Sequence, residues 1–474
     1  MVAQTSSTSF RRCPSPRRSN LAGSGCRRPI CRCAFTTTTG RSAASARRST
    51  SFIKHRSHPM NYTDPVLREI AAFSPLDVLL ADIAVRIQLT PTDHRLAVGH
   101  YHAIHQWLER DGSPLAGLIA SFYAQGGFSI GATTARHAED ADFDIDAMVQ
   151  VTMHHDTDPE DVLSTLHTAI RGEPGSRYYD KTERKSRCVT VKYDGLHLDL
   201  TPAVLIPSLE ERTSFIFHSK KTATGFDKAR LVANPWGFAE WFLRQTPPEA
   251  AFGQFFERQS LEYERLRFTK AESDADPVPD QDPAYRKSRA VIALQLMKRW
   301  RNLAYDARHA TLRLPPSVVL AHSVAVNANR TSSLSEELLH QVVSLVSALE
   351  AAERRGMTYK AVNPACDPYD VLTDRWPEDL NSQRILIDEL RAFAVDIQRL
   401  RSGLSMPEMR KTLEKLFGER PAADSVRKFM DNQVSADRGG VAAHIPSTGT
   451  VAAVTSIATP TYARPTPRTS PWGD

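Results

Sequence analysis

In "DVLLADIAVRIQL" (residues 77–89) and "LAVGHYHAIHQWLERDG" (96–112), apolar residues return every three or four positions, the spacing of a helix with one buried face. Val98, Tyr101, Ile104 or His105, and Leu108 mark that face in the second segment. Its start is expected at Thr92, an N-cap after Pro91, and its end at Gly112. Beyond a glycine-rich stretch the texture changes to strands in "DIDAMVQVTM" (144–153), "RCVTVKYDG" (187–195) and "LHLDLTPAVLI" (196–206). Asp194-Gly195 is a hairpin-turn signal joining the last two. Between the first two strands, "HDTDPEDVLSTLHTAIRG" returns to helical spacing, with Leu163, Leu166 and Ile170 on one face. This half therefore reads as a mixed α/β unit with at least three strands.

From about Asn234 the pattern is helical. "NPWGFAEWFLRQ" opens it, and "YRKSRAVIALQLMKRWRNLAYD" (285–306) predicts a long amphipathic helix. "SLSEELLHQVVSLVSALEAAERRG" carries a capping box, Ser333 with Glu336, and a stop at Gly356. "SQRILIDELRAFAVDIQRLRSG" and "MPEMRKTLEKLFG" complete the set. The acidic, Pro-rich "ESDADPVPDQDP" between the first two helices reads as a surface loop. After about Ser435 the chain is rich in Thr, Pro and Ala and is expected to be disordered. No apolar run approaches 18 residues, so no membrane span is expected.

Charge changes this picture at one end only. The chain has 474 residues and a net charge of +6, but residues 1–59 hold 11 Arg, 1 Lys and no acid. Without them, acidic side chains outnumber basic ones. That Ser- and Thr-rich tail cannot bury enough apolar surface to fold. Three readings fit it: a transit-peptide-like leader, a nucleic-acid-binding arm, or a segment outside the working protein, with translation starting at Met60. The last is favoured. Four of six cysteines (Cys13, Cys26, Cys31, Cys33) lie in the tail without a partner cluster to complete a zinc site. Cys188 and Cys366 alone remain in the body, which suits a reducing cytoplasm.

The chemistry gathers in "QGGFSIGATTARHAEDADFDIDAMVQV" (125–151). Side chains alternate along a strand, so Asp144 and Asp146 share a face while Ile145 enters the core. Adjacent carboxylates repel unless a cation lies between them. Asp199, set in the otherwise apolar "HLDLTP", joins them if its strand is a neighbour. Three such oxygen donors suit Mg²⁺, which also takes phosphate oxygens. Gly126 and Gly127 free a turn of side chains, so that backbone N–H groups can approach phosphates. The bland readings are a solvated acidic loop for the DxD and an exposed helix face for His94, His100, His102 and His105. The second is preferred, because only His102 and His105 share a face and no further ligand completes them. Asp142 with Asp144 also fits the carboxylate spacing, but the apolar strand directly after Asp146 favours Asp144 with Asp146.

In combination, "QGGFSIGATT", "RCVTVKYDGLHLDLTPAV", "NPWGFAEWF", "LQLMKRW", "PPSVVLAHSVA" and "DRWPE" resemble bacterial relatives of cyclic GMP-AMP synthase. These are the cyclic-oligonucleotide synthases of CBASS antiphage defence, within the polymerase-β-like nucleotidyltransferases. The resemblance spans roughly residues 75–420. It implies an α+β architecture, with a nucleotidyltransferase lobe and its mixed sheet (60–233) packed on a helical lobe (234–433), between disordered tails (1–59 and 434–474). It implies two Mg²⁺ ions, with Mn²⁺ as an alternative, on Asp144, Asp146 and Asp199. Asp199 would also help deprotonate an attacking ribose hydroxyl. Gln125, Gly126 and Gly127 would line a donor triphosphate, with Ser129 or Thr133 standing in for a serine that the family usually carries where this chain has Gly127. Lys298 would touch phosphates, helped by Ser317, with Arg187 as a lesser contact. The plainer reading of Lys298 with Arg299 is a basic helix face.

The implied reaction joins NTPs (ATP, GTP or pyrimidine NTPs) into a cyclic di- or trinucleotide and releases pyrophosphate. A separately encoded effector would respond to the product. Two competitors stand beside it: a nucleotidyltransferase acting on RNA or protein, and a nucleic-acid-binding protein working through its basic tail. The acidic body requires no nucleic acid.

Overall fold

The computed structural model describes residues 73–135, 143–209, 211–270, 287–329 and 333–438, with the short segments 442–445 and 450–453. The basic tail with its four cysteines, Asp142 and the acidic loop 272–283 lie outside the described residues.

Helix α1 (Pro75–Ile87) starts with proline in its first turn, behind the Ser74 cap. Helix α2 (Pro91–Leu108) repeats the device, and its cap is Thr90, whose Oγ1 accepts from the Asp93 N–H at 3.1 Å. The expected cap, Thr92, lies inside the helix and donates to Glu264 instead. Pro91 decides the matter, because it lacks the N–H that the first helical residue would leave unpaired. Gly112 lies four residues beyond the last helical residue, in the following turn.

A seven-stranded sheet follows. Strand β1 (Ile119–Gln125) and one-turn helix α3 (Gly126–Ser129) precede β2 (Phe143–Val151) and helix α4 (Pro159–Arg171). Strands β3 (Thr182–Arg184), β4 (Val189–Tyr193), β5 (Leu196–Leu205), β6 (Ser214–Thr222) and β7 (Gly225–Ala233) come next. The order is β1-β2-β5-β4-β3, and β6 pairs β5 and carries β7. Only β2 and β5 run parallel. The Asp194-Gly195 hairpin forms where expected, with Gly195 at φ 69°. Strand β1 escapes the pattern because it is an edge strand on which only Tyr123 is buried; the glycine turn therefore follows a strand, not a helix. Leu108 of α2 and Val162, Leu163, Leu166 and Ile170 of α4 cover the sheet residues Ile145, Val191 and Leu198.

The helical half comprises α5 (Pro235–Gln245), α6 (Ala250–Lys270), α7 (Arg289–Arg308), α8 (Ser317–Val326), α9 (Leu334–Glu353), α10 (Leu380–Arg401), α11 (Met406–Phe417) and α12 (Glu419–Arg438). Ala442–Ile445 then pairs with Thr450–Ala453 as β8 and β9. Helix α1, which precedes the sheet in sequence, buries its apolar side among these helices rather than on the sheet. The expected amphipathic character of α7 gives way to burial on all sides. Every residue from Arg289 to Asn302 is buried, because α1, α8, α9 and α11 surround it. Trp300 lies flat on Phe393 of α10, centroids 4.4 Å apart.

Replacing Trp300 by Ala is expected to cost about 3–5 kcal/mol of unfolding free energy, through lost area and the cavity left behind. Urea denaturation measures it. Val343→Ala, on an exposed part of α9, should cost no more than about 0.5 kcal/mol. Equal losses would mean that α7 is not the centre of the helical core.

Candidate active site

The parallel register of β2 and β5 sets Asp146 opposite Asp199 and Asp144 opposite His197. Alternation puts both β2 acids on one face, and Ile145 between them is fully buried. Thr190 of β4, in register with Asp199, donates its hydroxyl to that carboxylate. The Lys185 ammonium reaches the same group at 3.3 Å. Burial and the neighbouring charges of Asp199 and Asp144 push the Asp146 carboxyl up to about 7, against the pull of Lys298 and Lys185. Burial is the larger cause, and the two neighbouring acids add to it. Among the described residues only exposed His154, His155 and Asp156 bring three candidate ligand atoms within 4.8 Å of one another. The three aspartates stand wider apart, as repelling carboxylates do. As hard oxygen donors on one wall they fit a divalent cation.

The glycine turn closes over these acids. Gln125 ends β1 opposite Asp146, and its amide donates to Thr201 at 3.1 Å. Gly126 has φ +61°, and a Cβ there would collide with the Asp146 carboxylate. Gly127 leaves room of another kind, since a Cβ there would lie 3.1 Å from Lys298 Nζ. The ammonium thus stands beside the position where the family resemblance leads one to expect a serine. Lys298 donates to the Ala132 carbonyl at 2.7 Å, and Gln295, one turn earlier on α7, to the Thr133 carbonyl at 3.0 Å. The Ser129 hydroxyl donates back to the Gly126 carbonyl. Thr133 Oγ1 is buried with no partner among the described residues.

Burial, then the charge of Arg301, lowers the Lys298 amine to about 8, while Asp146 and Asp144 hold it up. Arg299 is wholly buried on another side of α7 and donates to the Phe417 carbonyl. The two do not form a basic face. Consecutive helical residues point about 100° apart, so one reaches the turn and the other braces α11. Ser317 opens α8, and its hydroxyl accepts from buried Arg301 at 3.1 Å. Arg187 pairs with Asp374 at 2.6 Å.

Gln125, Gly126, Gly127, Ser129, Asp144, Asp146, Arg187, Asp199, Lys298 and Ser317 all line one cavity of about 530 Å³. It opens between the sheet and helices α7 and α8. Arg301, Asn363 and Asp370 line it too, and sequence reasoning passed over them along with Lys185. Lys185 shares the basic "ERKSRC" turn with Arg187, a signal that was there to use. Asn363 and Asp370 lie in an aperiodic connector that offers none. The α2 histidines pack against rings, His100 on Tyr193 at 3.8 Å and His105 on Phe122 at 4.7 Å.

The charge cluster has a measurable signature. Asp146 binds a proton more tightly in the folded chain, at about 7, than at the ordinary value of 3.8. Stability of the metal-free protein is therefore lost as pH rises through that window. Asp146→Asn should melt above wild type at pH 8 in EDTA and show no such gain at pH 4. A wild type that melts higher than the variant at pH 8 would refute the crowding of the acids.

Residues 79–241 match the family described as Second Messenger Oligonucleotide or Dinucleotide Synthetase domain. A cyclic dinucleotide synthase, CdnG of Bradyrhizobium diazoefficiens, is 37% identical over 358 residues, covering 75% of this chain and 83% of the relative. The solved structure of the CD-NTase CdnG from that organism in complex with GTP superposes with a TM-score of 0.64 at 34% identity, over 75% of this chain and 98% of that one. With the sheet, the helical lobe and the acid-and-glycine cavity all in place, the chain belongs to the CD-NTases, nucleotidyltransferases that synthesise cyclic oligonucleotides.

Proposed function

We propose that this chain joins NTPs, GTP among them, into a cyclic di- or trinucleotide and releases pyrophosphate, with Mg²⁺ (or Mn²⁺) at Asp144, Asp146 and Asp199. The observation that carries the reading is the Asp146–Asp199 register beneath the glycine turn, inside one cavity with Lys298. GTP enters because the relative CdnG is solved with it.

On this reading the donor triphosphate lies along Gln125, Gly126 and Gly127, where no side chain bars the backbone N–H groups. Lys298 meets its phosphates as a point charge from a buried, low-dielectric site, where such contacts are strong. Ser317 and Ser129 supply hydroxyls at the rim. Asp199 is placed to take the proton of the attacking ribose hydroxyl, held in orientation by Thr190 and Lys185. Bound divalent ions would supply charge for the departing pyrophosphate and lower the hydroxyl's proton affinity. Arg187, engaged with Asp374, works through that ion pair rather than as a free phosphate contact. A second round in the same cavity closes the ring.

We place this activity in the cytoplasm, in CBASS antiphage signalling, with a separately encoded effector answering the messenger. No described helix is long and apolar enough to cross a membrane. Transfer to RNA is disfavoured by the acidic balance of the chain after residue 59.

Incubation with all four NTPs and Mg²⁺, followed by mass spectrometry, tests the proposal. A cyclic product that EDTA prevents is expected, and Asp144→Asn should abolish it. Gly126→Ala should cut synthesis at least about hundredfold, because misplacing a reacting group by an ångström costs that much. A linear, templated or RNA-attached product, or full synthesis by Asp144→Asn, would overturn it.

A further inference from the structure

The connector between α9 and α10 contributes Asn363, Asp370 and Leu372 to the cavity. Asn363 is fully buried. Its amide donates to one Asp370 oxygen, Oδ2, at 2.8 Å, and to the Asn234 carbonyl, also at 2.8 Å. The backbone N–H of Asn234, itself 1% exposed, donates to the same Asp370 oxygen at 2.9 Å. Asn234 is fixed in turn: its side chain caps α5 through Gly237 and donates to Thr213. A closed network of buried amides therefore clamps the Asp370 carboxyl by Oδ2 alone.

The other oxygen, Oδ1, has no hydrogen-bond partner among the described residues, and Asp370 has no ion pair among them. Burial holds this carboxyl above its ordinary range, and the bonds from Asn363 and Asn234 only partly offset that. Oδ1 is not enclosed by protein, and Asp370 lines the cavity, so the donors of an arriving ligand can meet it there. The neighbouring wall is apolar: Ile216, Ala233, Pro235, Phe238 and Leu372. Ile216 pairs with Ala203, four residues beyond Asp199 on β5, roughly 13 Å along the strand. That separation is within the length of a nucleoside triphosphate. The group that suits the place is flat, apolar on its faces and edged with N–H donors.

We propose that Asp370 reads the Watson–Crick edge of a guanine base, its open oxygen accepting the adjacent N1–H and N2–H. Guanine is the base that presents two neighbouring donors on that edge. Adenine and cytosine set one amino group beside a bare ring nitrogen, and uracil flanks its single N–H with carbonyls; each turns a lone pair toward the carboxylate. Base edges displayed outside a duplex are read in this way by fixed side-chain acceptors. This rests on the reading above that NTPs occupy the cavity, and adds that Asp370 is a specificity-determining residue.

Binding of the α,β-methylene analogues of GTP, ITP and ATP, measured calorimetrically with Mg²⁺, tests it. Wild type should bind the GTP analogue best and the ITP analogue, which lacks the N2 amino group, more weakly. Asp370→Asn can keep its carbonyl toward Asn234 and Asn363 and turn an amide donor to the base. It should weaken the GTP analogue roughly tenfold to hundredfold and leave the ATP analogue within about threefold, since only the base-dependent contact changes. Equal losses for both analogues would mean a purely structural role and overturn the assignment. Should the variant fail to fold, wild type alone decides, because equal affinity for the GTP and ITP analogues also overturns it. A preference for the GTP analogue without any cyclic product would sustain the base reading and sink the proposed reaction. A cyclic product free of guanine would do the reverse.

Discussion

Lys298 is the interaction on which the site turns. Its ammonium is carried into the middle of the molecule by α7, a helix enclosed on all sides. A buried cation without partners would be prohibitively costly. Here it has a carbonyl at 2.7 Å and the field of Asp146 and Asp144 beyond. Those acids are crowded in turn and gain from a cation behind the turn. Each side of the cavity therefore makes the other's burial tolerable. The helical core is tied to the turn beside the sheet through the carbonyls of Ala132 and Thr133, which accept from Lys298 and Gln295 of α7.

The glycine pair follows from that arrangement. The turn must pass between the Asp146 carboxylate on one side and Lys298 on the other. Gly126 faces the first at positive φ, and Gly127 faces the second. Neither space is spare. A serine at 127 would set its Cβ 3.1 Å from the ammonium, tighter than ordinary packing. In this chain the Lys298 ammonium stands beside that position.

Much of this was legible in the residues. Alternation put Asp144 and Asp146 on one face without any structure, and the lone Asp199 in an apolar strand announced a special position. What alternation could not supply was the neighbour relation. Asp146 and Asp199 are joined by a helix and a hairpin, and only the parallel pairing of β2 with β5 makes them face each other. Helix α7 misled for a related reason. Its charged residues imitate an exposed stripe, yet Arg299 and Arg301 are buried against carbonyls of other segments. Those acceptors come from residues 417 and 315, which no local pattern brings near. The connector holding Asn363 and Asp370 has no period at all, so its side chains gain meaning only from the cavity they line.

The charges of the cavity favour a particular kind of occupant. Its floor is anionic, with three aspartates, and its back is cationic, with Lys298 and Arg301. A bare triphosphate would be welcomed by the back and repelled by the floor, and a lone divalent cation the other way round. A nucleotide accompanied by divalent cations would suit both, because such ions take carboxylate and phosphate oxygens alike. The same balance explains why Asp146 holds its proton so strongly when neither is present. A proton, the Lys298 ammonium and any bound cation would compete for that one shortage of positive charge.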